Sequence, residues 1–186
     1  MKMVVGLGNP GQKYIGTRHN VGFEILEQLG QKHLAPKAKT KFEGNHAQTN
    51  IGGQSTLLLW PLTYMNNSGR CVKATADFYK IDATEDILVV CDDLSLPCGK
   101  LRARAKGSAG GQKGLADILR VFGTQEIGRL RVGIDQTPPG WDTADYVLGK
   151  FNKEQRETVD IAIVAAIAAI EDWLAEGISH CMNQHN

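Results

Sequence analysis

Little in this sequence points to metal binding, a membrane or an oxidising compartment. The four cysteines, Cys71, Cys91, Cys98 and Cys181, form no CxxC pair and no metal-ligand cluster. No zinc or other metal site is therefore expected, and the thiols read as reduced, as in a cytosolic protein. The longest apolar run, Ile161 to Ile170, is too short to span a bilayer. A charged-then-apolar signal pattern is also missing, so the expected location is the cytoplasm, with no membrane partner. An excess of charge of one sign is missing as well. The formal net charge is +1, and a nucleic-acid partner would have to be held by a local basic patch. A GxSxG nucleophile elbow is absent, and no cysteine lies in a loop where it could serve as a nucleophile, which leaves an activated water as the more economical attacking group.

What is present begins with an apolar strand that runs into Gly6-Leu7-Gly8-Asn9-Pro10-Gly11. The spacing fits a dinucleotide-binding loop, which needs a helix opened by the third glycine and an acidic residue about 20 positions on, at the end of a second strand. Neither condition is met. Gln12 to Thr17 is short and broken by Gly16, and Glu24 and Glu27 fall on the first helix pattern. A nucleotide-dependent oxidoreductase is therefore disfavoured. The glycines read instead as a tight strand exit that lets backbone approach a site closely.

With 186 residues and 42% hydrophobic content, one domain over residues 1–186 is expected. Strand signals fall at Met3 to Leu7, around Ala47 to Ile51, at Thr56 to Trp60, at Ile87 to Cys91, around Lys100 to Ala105 and at Leu130 to Ile134. Helix signals lie at Asn20 to Lys32, at Asn67 to Lys80 with an Asn or Ser cap, at Lys113 to Phe122 and at Lys153 to Glu176. Gly52-Gly53 reads as a hairpin turn, which makes part of the sheet antiparallel. The expected fold is α/β, with a mixed twisted sheet flanked by helices. The apolar centre of the last helix is expected to be buried, with a dimer contact as the alternative. Gln136 to Asp142, with Pro138-Pro139-Gly140-Trp141, has the composition of a mobile flap.

Candidate reactive groups gather at strand ends: Asn9 after the first strand, Asn66 after the strand ending near Trp60, and Asp92-Asp93 after Ile87 to Cys91. Exits of parallel strands form one rim, where loops distant in sequence converge, and His19 at the start of the first helix could reach it. A neutral imidazole takes a proton from water near pH 7, and a carboxylate on its other nitrogen fixes the tautomer. His19 with Asp92 is such a pair, and Asn9 and Asn66 are neutral amides able to hold a water or a carbonyl oxygen. Each residue taken singly also has a plainer reading: a capping or surface histidine, a turn-shaping Asp-Asp, an ordinary Asn-Pro-Gly turn.

Lys100, Arg102, Arg104 and Lys106 alternate with Leu101, Ala103 and Ala105, so one strand face carries four cations. Gly107-Ser108-Ala109-Gly110-Gly111 follows and leads into a helix whose free N–H groups attract an anion; Arg129 and Arg131 would extend the patch. Phosphates of a nucleic acid are the natural counter-charge, against the alternative of an edge strand that carries cations to deter aggregation.

Together these residues resemble the bacterial-type peptidyl-tRNA hydrolase family. The likeness covers nearly the whole chain: VGLGNPG from Val5, YIGTRHNVGFEILE from Tyr14, PLTYMNNSG from Pro61, CDDLSLPCGKLRARAKGSAGG from Cys91 and DYVLGKF from Asp145. It implies a monomeric α/β enzyme that cleaves the ester joining a peptide to the 3′ ribose of tRNA, with no metal or organic cofactor. His19 matches the catalytic base and Asp92 the residue that supports it. Asn9 matches the residue that helps to tell peptidyl-tRNA from free aminoacyl-tRNA, and Tyr14, Tyr64 and Asn66 match positions that line the channel for the tRNA end and the peptide. One departure stands out. The family usually carries His-Asn where this chain has Gln112-Lys113, which suggests a phosphate contact from Lys113 in place of an amide contact and keeps open a second reading, a non-catalytic RNA-binding relative.

Overall fold

A computed structural model describes residues 1–186. Its centre is built from three short apolar runs. β1 (Lys2–Gly6) lies between β4 (Gln54–Pro61) and β5 (Ile87–Asp93), parallel to both. Strands this continuously apolar can be satisfied only if both faces are covered, and period-two alternation divides them accordingly. Val4, Leu58, Leu88 and Val90 face one layer of helices, whereas Met3, Val5, Leu57, Leu59 and Val89 face the other. The first layer holds α1 (Val21–Lys32), α5 (Lys153–Glu176) and α6 (Ile178–His185); the second holds α2 (Ser68–Tyr79) and α3 (Lys113–Phe122).

The full sheet has seven strands in the order β2-β3-β4-β1-β5-β7-β6, with β2 (Lys39–Lys41), β3 (Gly44–Ile51), β6 (Leu101–Arg104) and β7 (Gly128–Gly133) completing it. It is mixed, as expected: β3 runs antiparallel to β4 and β6 antiparallel to β7. Gly52 and Gly53 both adopt positive φ, 58° and 87°, in the two-residue turn that joins β3 to β4, which is the conformation a tight hairpin demands. The basic strand β6 is an edge strand, and its outer side is covered by α6: the Ala103 N–H donates to Asn186 Oδ1 at 2.7 Å. No helix is long and apolar enough to cross a membrane.

Several local expectations need correction. The centre of α5 is not buried all round: Ile161 and Val164 are exposed, because only one side of the helix packs on the sheet. Asn67 precedes α2 without capping it through its side chain. A six-residue helix, α4 (Thr143–Leu148), follows the Pro-Pro-Gly-Trp loop, with the Asp142 side chain accepting from the Ala144 and Asp145 N–H groups. The Asp-Thr-Ala-Asp start is an ordinary N-cap signal and could have disclosed it.

Candidate active site

The exits of β1, β4 and β5 converge, and α1 is pressed against them. A Cβ on Gly22 would lie 2.4 Å from the Val90 carbonyl oxygen and 2.6 Å from Leu7 N, and one on Gly6 would lie 2.4 Å from the Gly22 carbonyl oxygen. A Cβ on Gly8 would enter the Phe23 ring. The glycines therefore let the loop pack closely on the first turns of α1. Of the three glycines at dinucleotide-loop spacing only Gly11, at φ 112°, needs a positive φ; the short 3-10 turn Gln12–Tyr14 follows it, where a cofactor loop would have a long helix.

The same packing brings Asn20 against Asn9. The Asn9 N–H donates to Asn20 Oδ1 and Asn20 Nδ2 donates to the Asn9 carbonyl, both at 2.9 Å. Asn9 Oδ1 in turn accepts from the Met65 N–H at 2.9 Å. The backbone N–H, the backbone carbonyl and Oδ1 of Asn9 are thus held, whereas Nδ2 makes no hydrogen bond within the protein and belongs to a side chain that lines the adjoining cavity. Asn20, which the sequence reading left without a role, is the clamp between β1 and α1.

One residue before it, His19 sits in the 3-10 turn Arg18–Asn20. Its Nδ1 lies 2.8 Å from Asp92 Oδ2, with both side chains largely buried. An ionised carboxylate only accepts, so Nδ1 carries a proton, and in the neutral form of the ring Nε2 then holds the lone pair. Nε2 has no partner within the protein. Strand alternation separates the two aspartates of β5. Asp92 shares a face with Leu88 and Val90 and meets His19. Asp93 points the other way, accepts from the Ser95 N–H at 2.8 Å and pairs with Arg131 at 3.2 Å. The neighbouring Cys91 is fully buried, and burial first, then the nearby Asp92 charge, pushes its thiol well above the ordinary range. It is no nucleophile.

A cavity of about 680 Å³ opens over this pair. Asn9, His19, Tyr64, Asn66, Asp92, Gln112, Lys113 and Arg131 line it, together with Asp142, Thr143, Ala144, Val147 and Leu148 from α4 and the residue before it. The α4 wall was missed at the sequence level. It is anchored through the residue next to His19: the buried Arg18 guanidinium stacks on the Tyr146 ring, donates to the Tyr146 carbonyl at 3.1 Å and to Gln155 Oε1 at 2.8 Å. Tyr14 lies outside the lining, on the loop after Gly11, with Lys13 over its ring.

The cationic face is shorter than expected: Arg102 and Arg104 alternate with the buried Leu101 and Ala103 on β6, whereas Lys100 and Lys106 are exposed but lie just outside the strand, which ends at Leu101 and Arg104. Across the strand pair Arg102 faces Arg131 and Arg104 faces Arg129. The two β7 arginines differ from each other. Arg131 keeps one edge on the cavity while held by Asp93 and by the Ser108 carbonyl at 2.7 Å. Arg129 is wholly buried and donates to the carbonyls of Ile127, Gly107, Ser108 and Gln125, so the expectation that it extends the patch is overturned. Burial, then Arg131, lowers its affinity for its proton, and its work is to hold the loop between β6 and α3.

The profile of the family described as Peptidyl-tRNA hydrolase matches residues 3–186. Proteins named peptidyl-tRNA hydrolase from Rhodopirellula baltica and Listeria welshimeri are 48% and 45% identical over 186 residues; each alignment covers all of this chain and 97% and 100% of the relative. The crystal structure of peptidyl-tRNA hydrolase from Acinetobacter baumannii superposes with a TM-score of 0.94 at 37% identity, covering all of this chain and 94% of the other.

Proposed function

The chain belongs to the peptidyl-tRNA hydrolase family, and on that premise we propose that it hydrolyses the ester between a peptide and the 3′ ribose of tRNA through a water activated by His19. The observation that carries this reading is the 2.8 Å contact between His19 Nδ1 and Asp92 Oδ2 at the wall of the cavity. It leaves Nε2 as the imidazole nitrogen available to a water or substrate.

The steps follow from that geometry. A water on Nε2 gives up a proton to the imidazole as its oxygen bonds to the ester carbonyl carbon, and Asp92 stabilises the imidazolium that forms. Collapse of the tetrahedral intermediate breaks the bond to the ribose oxygen, which takes the proton back from His19 and leaves as the tRNA hydroxyl. Asn9 Nδ2 is a neutral donor for a peptide carbonyl, a group that free aminoacyl-tRNA lacks on its amino side. Tyr64 and Asn66 form the wall for the tRNA end, and Tyr14, outside the cavity lining, is assigned to the same substrate on the family resemblance alone. Lys113, Arg131, the β6 cations Arg102 and Arg104, and Lys100 and Lys106 flanking that strand meet phosphates. We further propose that the chain acts as a monomer in the cytoplasm, as the family resemblance implies.

The test is release of free tRNA from N-acetylated aminoacyl-tRNA. His19→Ala should lose about 10²–10⁴-fold in kcat, the usual contribution of a positioned base, while tRNA affinity stays near that of the parent. Full turnover by the variant would sink the mechanism. Binding without any turnover by the parent would instead mark a non-catalytic RNA-binding relative.

A further inference from the structure

Gln112 was expected only as a departure from the family pattern beside Lys113, yet it is the most heavily committed side chain at the site. It is buried at the N-terminus of α3, where its Oε1 accepts from the Leu115 N–H at 2.7 Å and so caps the helix. That bond settles which end of the amide is which. The other end, Nε2, therefore points into the site, donates to Asp92 Oδ1 at 3.0 Å and touches Met65 Sδ at 3.2 Å. The two carboxylate oxygens of Asp92 are thus divided, one to Gln112 and one to His19.

We propose that Gln112 is a positioning residue for the hydrolysis: the amide, oriented by the first turn of α3, holds the Asp92 carboxylate so that Oδ2 faces His19. The inference rests on the His19–Asp92 reading and adds to it the element that fixes the aspartate. A buried carboxylate held at one oxygen only is free to turn about its last bond, and each turn exchanges the oxygen seen by the imidazole. Gln112 removes that freedom. The room for this arrangement is also built in: a Cβ on Gly114 would lie 2.6 Å from Met65 Sδ and 3.2 Å from Gln112 Oε1, so the residue two places on has to be small.

Capping and positioning separate by mutation. Gln112→Ser keeps an N-cap acceptor of the preferred type but is too short to reach Asp92, whereas Gln112→Ala removes both. In the N-acetyl-aminoacyl-tRNA assay both variants should lose about tenfold or more in kcat, the scale of a hydrogen bond to a charged group, with KM within about twofold of the parent. Only the alanine variant should melt a few degrees lower. Introduced into Asp92→Ala, the serine substitution should cause no additional loss, because its effect passes through Asp92. Parental kcat in Gln112→Ser, or a full additional loss in the Asp92→Ala background, would overturn the inference. His19→Ala is run beside them: if it stays active, the His–Asp reading itself fails, and if it is inactive while Gln112→Ser is unimpaired, only the role of Gln112 fails.

Discussion

Asp92→Asn tests the site most sharply, because the structure dictates which way the new amide must face. Asp92 accepts from Gln112 Nε2 at 3.0 Å through one oxygen and from His19 Nδ1 at 2.8 Å through the other. Gln112 cannot turn around without abandoning its bond to the Leu115 N–H. An asparagine therefore keeps its carbonyl toward Gln112 and presents its NH₂ to His19, since the opposite flip would set two donors 3 Å apart. Facing a donor, Nδ1 becomes the acceptor and the ring proton moves to Nε2, the nitrogen that should take a proton from water. The lost charge-assisted bond alone accounts for about 1.5–3 kcal/mol, or roughly 10–150-fold. The wrong tautomer adds to this, and the total should reach the range of about 10²–10⁴ in kcat that removal of a general base produces. Single-turnover release of tRNA from N-acetyl-aminoacyl-tRNA, with enzyme in excess, measures the step directly. A variant that retained more than about a tenth of parental kcat would show that the tautomer of His19 is not set by Asp92.

Neutralising Arg102 and Arg104 together should weaken binding of any tRNA and flatten the log–log salt dependence by up to about 0.9 per lost phosphate contact, if the tRNA helix behaves like duplex DNA; an unchanged slope in filter-binding titrations would return β6 to the role of a protected edge. Asn9→Asp retains the acceptor for the Met65 N–H but loses the free Nδ2, so discrimination between N-blocked and free aminoacyl-tRNA should fall while the melting temperature stays close to the parental value; intact discrimination would refute the assignment. His46 concerns stability alone. Burial first, then Lys41 and Lys39, depresses its proton affinity in the fold, so the unfolded chain takes up that proton first as pH falls below about 6.5, and stability declines from there down to the folded-state value and no further. Urea midpoints between pH 7 and pH 5 should fall less steeply in His46→Gln than in the parent, and equal slopes would show that His46 does not titrate between the two states.

The sequence disclosed those parts of the fold whose burial is simple. β1 and β5 are apolar on both faces and were legible as runs, α1 and α3 carry one-sided periodicity, and α5 was legible by its length although its all-round apolar centre hid which side is buried. β2, with the sequence Lys-Thr-Lys, is exposed at every position and has no burial pattern to read. α6 pairs the slight hydrophobicity of Ile-Ser-His-Cys with a place against the β6 edge that only the tertiary fold supplies. At the site, His19 and Asp92 could be paired because a helix start and a strand end share the rim. The partners that fix them could not. Nothing local links Asn20 to Asn9 or Gln112 to Asp92, contacts made across 11 and 20 residues. Arg129 and Arg131 face the same side of β7 and look alike in sequence; Ser108 accepts from both, but Gly107, Gln125 and Ile127 enclose Arg129 completely while Arg131 keeps an edge on the cavity.

The central place of β1 has a consequence for how this protein comes off the ribosome. β1 is made early, but its hydrogen-bonding neighbours are β4, beginning at Gln54, and β5, beginning at Ile87. At roughly 5–20 residues per second of synthesis, the strand waits about 2–10 s before β4 begins to exist and about 4–16 s before β5 does, so one of its edges stays unpaired for the whole of the longer wait. The Lys2 ammonium, which donates to the carbonyls of Trp173 and Leu174 in α5, waits longer still. Such non-local pairing slows folding and leaves partial chains prone to association, so cooperative structure should be acquired only once α5 has been made. A nascent chain arrested before Lys153 should remain protease-sensitive throughout and hydrolyse nothing, including the ester that tethers it to its own tRNA.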